Sequence, residues 1–157
     1  MNAIVREVFE ILHRTAAMRA QLIAILSDGD LAYRLPGGNL TLGELCRDIG
    51  LVERSYIDSF ITFRQSFDYP STDPLLATSV VRLTGWYSEL DATLDSTLAA
   101  ISDEEIQGRT IDRGWPVSVM AQTHIYREAL LIFLAKATCY LPALEKPLPQ
   151  QIAEWIG

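Results

Sequence analysis

His124 and Glu128 stand four residues apart in the run Thr123-His124-Ile125-Tyr126-Arg127-Glu128. On a helix that spacing puts an imidazole and a carboxylate on one face, a turn apart. Three uses suit such a pair. It can supply two ligands to a divalent cation, form a polar wall for a small molecule without metal, or be a half-buried histidine satisfied by a carboxylate or a backbone group. Arg127 falls on the inward stripe of the same helix, and a guanidinium taken out of water needs a partner. Asp48 and Glu44, on an earlier helix, are the candidate partners.

Other reactive residue types are sparse. Cys46 and Cys139 lie far apart in helical patterns with no CxxC spacing, which reads as two packed, reduced thiols of a cytoplasmic protein. His13 sits beside an apolar stripe among charged neighbours, as an exposed histidine does. No serine or cysteine has a histidine and an acid at a recognisable nucleophile spacing. Trp86, Trp115 and Trp155 read as packing residues. Trp115 has a second reading, because the turn Gly114-Trp115-Pro116 precedes the last long helix and places it to line a pocket mouth. Pro36-Gly37-Gly38 is a turn and lacks the pattern of a phosphate loop.

The chain of 157 residues suits a single domain over 1–157, long enough for a core without metal or disulfide support. With 49% hydrophobic and 21% charged residues it is globular rather than disordered. Thirteen basic against twenty acidic residues give a net charge of −7, and the basic ones are scattered singly. That charge argues against nucleic acid as a partner. Glu7 and Glu10 interrupt the first apolar residues, unlike a signal peptide, and the longest apolar run, Ala129 to Ala135, is too short to span a membrane.

The elements that must position these residues are helical. Ile4, Val8, Ile11, Thr15, Met18, Leu22 and Ile25 repeat in steps of four and three, the stripe of a bundle helix, which Ser27-Asp28-Gly29-Asp30 ends. Thr41-Leu42-Gly43-Glu44 is a capping box opening the second helix, with Leu40 and Leu45 at the staple positions. Its stripe runs Leu42, Leu45, Ile49, Val52, Tyr56, Phe60, Phe63, and Gly50 within it suggests a close helix contact. Residues 65–73 form a loop, and Asp73-Pro74 starts the third helix, with its stripe from Val80 to Ile101. Ser102-Asp103-Glu104-Glu105 caps a short helical turn, and 108–116 is a loop or short extended piece. The fourth helix starts between Arg113 and Ser118 and stops before Pro142, with Met120, His124, Arg127, Leu131, Leu134, Thr138 and Leu141 inward. The all-apolar run 129–135 predicts that this helix is the most buried. A short C-terminal helix follows Pro149. The fold class is therefore all-α, a four-helix bundle.

The run Leu40-Thr41-Leu42-Gly43-Glu44-Leu45-Cys46-Arg47-Asp48-Ile49-Gly50-Leu51-Val52-Glu53 resembles the second helix of DinB/YfiT-like proteins. That family opens this helix with a Ser/Thr cap and an aliphatic-Gly-Glu-Leu run. It keeps a metal-binding histidine seven residues after the cap and a glutamate five residues later. Thr41, Gly43, Glu44, Leu45 and Glu53 match, and the histidine position is Asp48. The family's last helix carries two more ligands at i and i+4, and Thr123 to Leu130 aligns with it in two registers. In one, Thr123 and Arg127 take the ligand places and no metal site survives. In the other, His124 and Glu128 take them and, with Asp48, make a one-histidine, two-carboxylate triad. A pair between Arg127 and Asp48 would then be the structural rival, an ion pair in place of the metal.

The resemblance implies a DinB-like bundle, up-down-down-up, forming a homodimer. The first reading is a protein that lacks the usual three-histidine site and binds a small molecule or a partner, with Glu44, Thr123, Arg127 and Trp115 as pocket candidates. The second is an atypical enzyme, like a thiol S-transferase, holding one divalent Zn, Ni, Mn or Fe ion on Asp48, His124 and Glu128. A third is a structural dimer module with Tyr56, Phe60 and Phe63 exposed at the interface.

Overall fold

A computed structural model describes residues 1–70 and 73–156. The loop expected over 65–73 therefore includes two residues outside the described ones. Helix α1 (Ala3–Glu7) and α2 (Phe9–Ala24) are the expected first helix, interrupted at Val8, whose φ of −121° leaves the helical region. Ser27 both follows α2 and caps a single turn, α3 (Asp28–Leu31), through a full capping box with Asp30. The Thr41–Glu44 box opens α4 (Leu42–Thr62) as expected. Asp73 caps a 3-10 turn at Pro74–Ala77 rather than the third helix, α5 (Val80–Ala100), which starts three residues after that turn ends, with Ser79 as its cap. Ser102 and Glu105 box the short α6 (Asp103–Gly108). A two-stranded antiparallel hairpin follows, β1 (Thr110–Asp112) and β2 (Pro116–Ser118), with Ile111 opposite Val117. It leads directly into α7 (Val119–Thr138), and α8 (Gln150–Ile156) ends the chain's described part.

Cross-helix contacts fix the directions. Asn2 bonds the carbonyls of Leu98 and Ile101, His13 meets Asp95, and Arg19 meets Asp91, so α5 runs antiparallel to α2. The Tyr87 hydroxyl bonds the Cys46 carbonyl, while Ile61 lies beside Thr97, so α4 and α5 are parallel. Glu53 meets Tyr126 and Ser59 meets Gln122, so α7 is antiparallel to α4. The order is up-down-down-up. Helices α2 and α4 each pack between α5 and α7 and face one another across the centre of the bundle.

Two parallel helices in succession require the chain to travel back along α4 between them. Glycine makes that return possible. A Cβ at Gly43 would overlap the backbone carbonyl of Ala77, so the 3-10 turn lies directly on the start of α4. A Cβ at Gly50 would overlap the ring of Trp86 on α5, which is the close helix contact that Gly50 suggests in the sequence.

Three expectations are corrected by burial. Tyr56 and Phe60 are core residues, so they cannot supply an exposed interface, and Phe63 is half-buried at the left-handed end of α4. The run 129–135 is not buried all round, since Ile132 and Ala135 face outward. The inward residues of α7 are Val119, Gln122, Thr123, Tyr126, Leu130, Phe133, Leu134 and Ala137, a stripe that leaves His124 outside. Among the described residues no helix is long and apolar enough to cross a membrane.

Candidate functional site

His124 and Glu128 share one face of α7, and that face is exposed. Asp48 lies half-buried on α4, with its carboxylate held by the neighbouring Arg47 at 2.7 and 3.0 Å. Among the described residues no three histidine, cysteine or acidic side chains come together as a metal site would require. The triad of Asp48, His124 and Glu128 is therefore not assembled, because the stripe of α7 turns its two members to solvent. Of the two pairs, Thr123 is buried and Arg127 half-buried against α2, while His124 and Glu128 are exposed. These residues do not fit a divalent ion: Thr123 donates to the Met120 carbonyl at 2.7 Å, and Arg127 is a cation. Arg127 Nε donates to Thr15 Oγ1 of α2 at 3.2 Å, so its expected pairing with Asp48 or Glu44 is also absent. Glu44 is spent on its cap. It accepts from the Thr41 amide at 2.7 Å and from Arg34 at 3.2 Å, and the amide holds its pKa below the usual carboxylate value.

An ion pair does occupy the interior, made by other residues. Arg19 of α2 and Glu53 of α4 are each 1% exposed and meet across the centre of the bundle. Arg19 Nη1 donates to Glu53 Oε2, while its Nη2 reaches both oxygens of Asp91 on α5 at 2.7 Å. The guanidinium lies 4.2 Å from the centre of the Tyr87 ring, a cation–π contact. From α7 the Tyr126 hydroxyl donates to Glu53 Oε2 at 3.0 Å. All four long helices thus contribute to one polar centre. Burial pushes the Glu53 carboxyl up and opposes the downward pull of Arg19. Burial also works against the Arg19 cation, but two facing carboxylates outweigh it and raise its pKa further. Arg19 Nε and Glu53 Oε1 find no partner, so the centre is not fully satisfied.

A second, separate polar network leads from the interior to the surface. Gln122 of α7 donates to Ser59 Oγ at 2.9 Å and to Gln65 Oε1 at 2.7 Å, and Gln65 donates to Ser55 Oγ at 2.9 Å. The free oxygen of Gln122 accepts from Arg113 Nη1 at 3.0 Å. Arg113 sits at the tip of the β1–β2 hairpin, where Gly114 takes a φ of 89° and the Arg113 amide donates to the Trp115 carbonyl. The hairpin is tied to the end of α4 by Gln65 N–H to the Asp112 carbonyl and Asp112 N–H to the Phe63 carbonyl.

Arg113 is surrounded by rings. Its guanidinium lies 5.4 Å from Tyr56, 5.8 Å from Phe67 and 6.0 Å from Trp115, measured to ring centres. The rings touch in series, Tyr126 to Tyr56 at 5.7 Å, Tyr56 to Phe67 and Phe67 to Tyr69 each at 6.3 Å. They run from the buried carboxylate of Glu53 outward. Trp115 is 63% exposed beside Arg113. Arg113 is half-buried and has no carboxylate partner among the described residues. Sequence reasoning passed over Arg19, Arg113 and Gln122. The one available signal was Glu53, a position matched by the helix resemblance.

No protein-family model matches the sequence, and no curated protein is significantly similar to it. A search of solved structures finds the crystal structure of a DinB-like protein, YjoA, from Bacillus subtilis. The two superpose with a TM-score of 0.67 over 88% of this chain and 92% of that one, at 15% sequence identity. Identity that low speaks for the architecture and not for the chemistry. The up-down-down-up bundle of this chain has the DinB-like fold.

Proposed function

We propose that this protein is a DinB-like bundle that works without a three-residue metal site and binds a small planar anion between Arg113, Trp115 and Phe67. The observation that carries this reading is a half-buried guanidinium, held in place by Gln122 and three rings, with no carboxylate partner among the described residues. Arginine presents its donors as a rigid fork suited to a carboxylate or phosphate, and exposed rings offer flat faces to a ligand's own ring. The Arg19–Glu53 pair supports the same reading from inside, since it fills the bundle centre with fixed opposite charges. The homodimer implied by the family resemblance stays part of this proposal, with an interface that excludes the buried Tyr56 and Phe60.

Benzoate is a suitable first probe, with Trp115 as the reporter. Its titration should quench fluorescence saturably, and Trp115→Phe should remove that response. Arg113→Gln should weaken binding about tenfold, as loss of a charge-assisted contact does. Unchanged affinity in Arg113→Gln, or no saturable response to benzoate, would overturn the reading.

A further inference from the structure

The chain's return from α4 to α5 leaves a cleft of about 420 Å³ between the outer face of α4 and the segment 64–70. Its walls carry charges of both signs: Arg54 and Asp58 from α4, Arg64 and Asp68 from the segment. Ser55 and Tyr69 are among its other lining residues. Arg54 and Asp58 are four residues apart, the spacing at which Arg14 pairs with Glu10 and Arg109 with Glu105 in this same protein. Yet Arg54, Asp58 and Arg64 form no ion pair among the described residues, and Asp68 accepts only from the Ser66 hydroxyl, at 3.2 Å, and hence from no cation. Two cations and two anions thus line one cavity without neutralising each other.

We infer that this cleft binds a zwitterion of amino-acid size. A carboxylate between Arg54 and Arg64 and an ammonium between Asp58 and Asp68 would satisfy both sets of charges at once, and the Tyr69 ring would cover the ligand's side chain. A purely anionic ligand would meet Asp58 and Asp68, and a purely cationic one would meet the arginines, so the arrangement discriminates by repulsion as well as attraction. The volume suits a ligand of this size. The site is distinct from Arg113. It touches the aromatic series only through Tyr69, and the inference does not depend on the planar-anion reading.

The test is calorimetric titration of the whole protein with the common L-amino acids one by one, then with matched fragments of whichever binds. For L-phenylalanine these are phenethylamine, which lacks the carboxylate, and 3-phenylpropionate, which lacks the ammonium. The zwitterion should bind at least about tenfold more tightly than either fragment. Arg54→Gln with Arg64→Gln should weaken it by a similar factor or more, while benzoate binding at Arg113 is unchanged. Arg113→Gln should have the converse effect. Arg54 and Arg64 are exposed and Arg113 is half-buried, so circular dichroism of each variant should report a native fold. Equal binding of the anionic fragment, undiminished binding in the double variant, or no binding by any amino acid would overturn the inference.

Discussion

Arg19 and Glu53 each lie one residue beside an apolar stripe yet are buried at the centre of the bundle. Arg19 follows Met18 and Glu53 follows Val52, positions that ordinarily mark the edge of a solvated face. Burial of both becomes tolerable only when partners arrive from other helices, and periodicity within one helix cannot show them. The pair makes a clear prediction. Arg19→Met strands the buried Glu53 carboxylate and should cost roughly 3–5 kcal/mol in urea unfolding, whereas Glu53→Leu leaves the guanidinium paired with Asp91 alone and should cost less. The double variant Arg19→Met, Glu53→Leu should lose less than either single change, since an apolar pair of similar size removes both desolvation costs. If the double variant is the sum of the singles, the two side chains are not coupled as described. The thiols give a second prediction at this scale. Burial pushes the Cys46 thiol up to about 12, whereas Cys139 is exposed. One thiol per native chain should react with a disulfide reagent at pH 8, and Cys139→Ser should abolish that reaction. Rapid modification of both thiols would contradict the packing around Cys46.

At the scale of elements, the capping boxes were legible because they are local. The boxes expected at Thr41 and Ser102 both form, and Ser27, expected only to end the first helix, makes a third with Asp30. Thr41→Ala should destabilise by about 1 kcal/mol. Glu44 holds its proton less tightly folded than its ordinary value of 4.5 implies, chiefly because of the Thr41 amide. Its contribution is therefore complete above about pH 4.5 and is lost as pH falls through the lowered folded value. Glu44→Gln should flatten that part of the stability profile, and an unchanged acid limb would argue against the cap. The two α4 glycines should differ. Gly50→Ala meets a ring that can shift, whereas Gly43→Ala meets a backbone carbonyl, so Gly43→Ala should lower the melting temperature more. The face of α7 was not legible for the opposite reason. From Ala129 to Ala135 every residue is apolar, so no single face stands out, while Gln122 and Thr123 look like surface residues. They turn inward because Ser59, Gln65 and a backbone carbonyl satisfy them. That register is what sends His124 and Glu128 to solvent.

For the molecule as a whole, helix content and the DinB-like fold followed from stripes and caps, together with the helix resemblance around Thr41 to Glu53. The site did not follow, because it is assembled by contacts between α2, α4, α5 and α7 and by a hairpin that brings Arg113 over Tyr56. Its chemistry depends on which residues converge in space. The central claim is that the interior is organised by an ion pair and not by a metal. The direct test is elemental analysis of untagged protein after incubation with Zn, Ni, Mn and Fe(II) salts and exhaustive desalting. The account predicts far less than one ion per chain for each metal, with no change in Asp48→Ala or His124→Ala. Retention of about one ion per chain, lost in both of those variants, would contradict it.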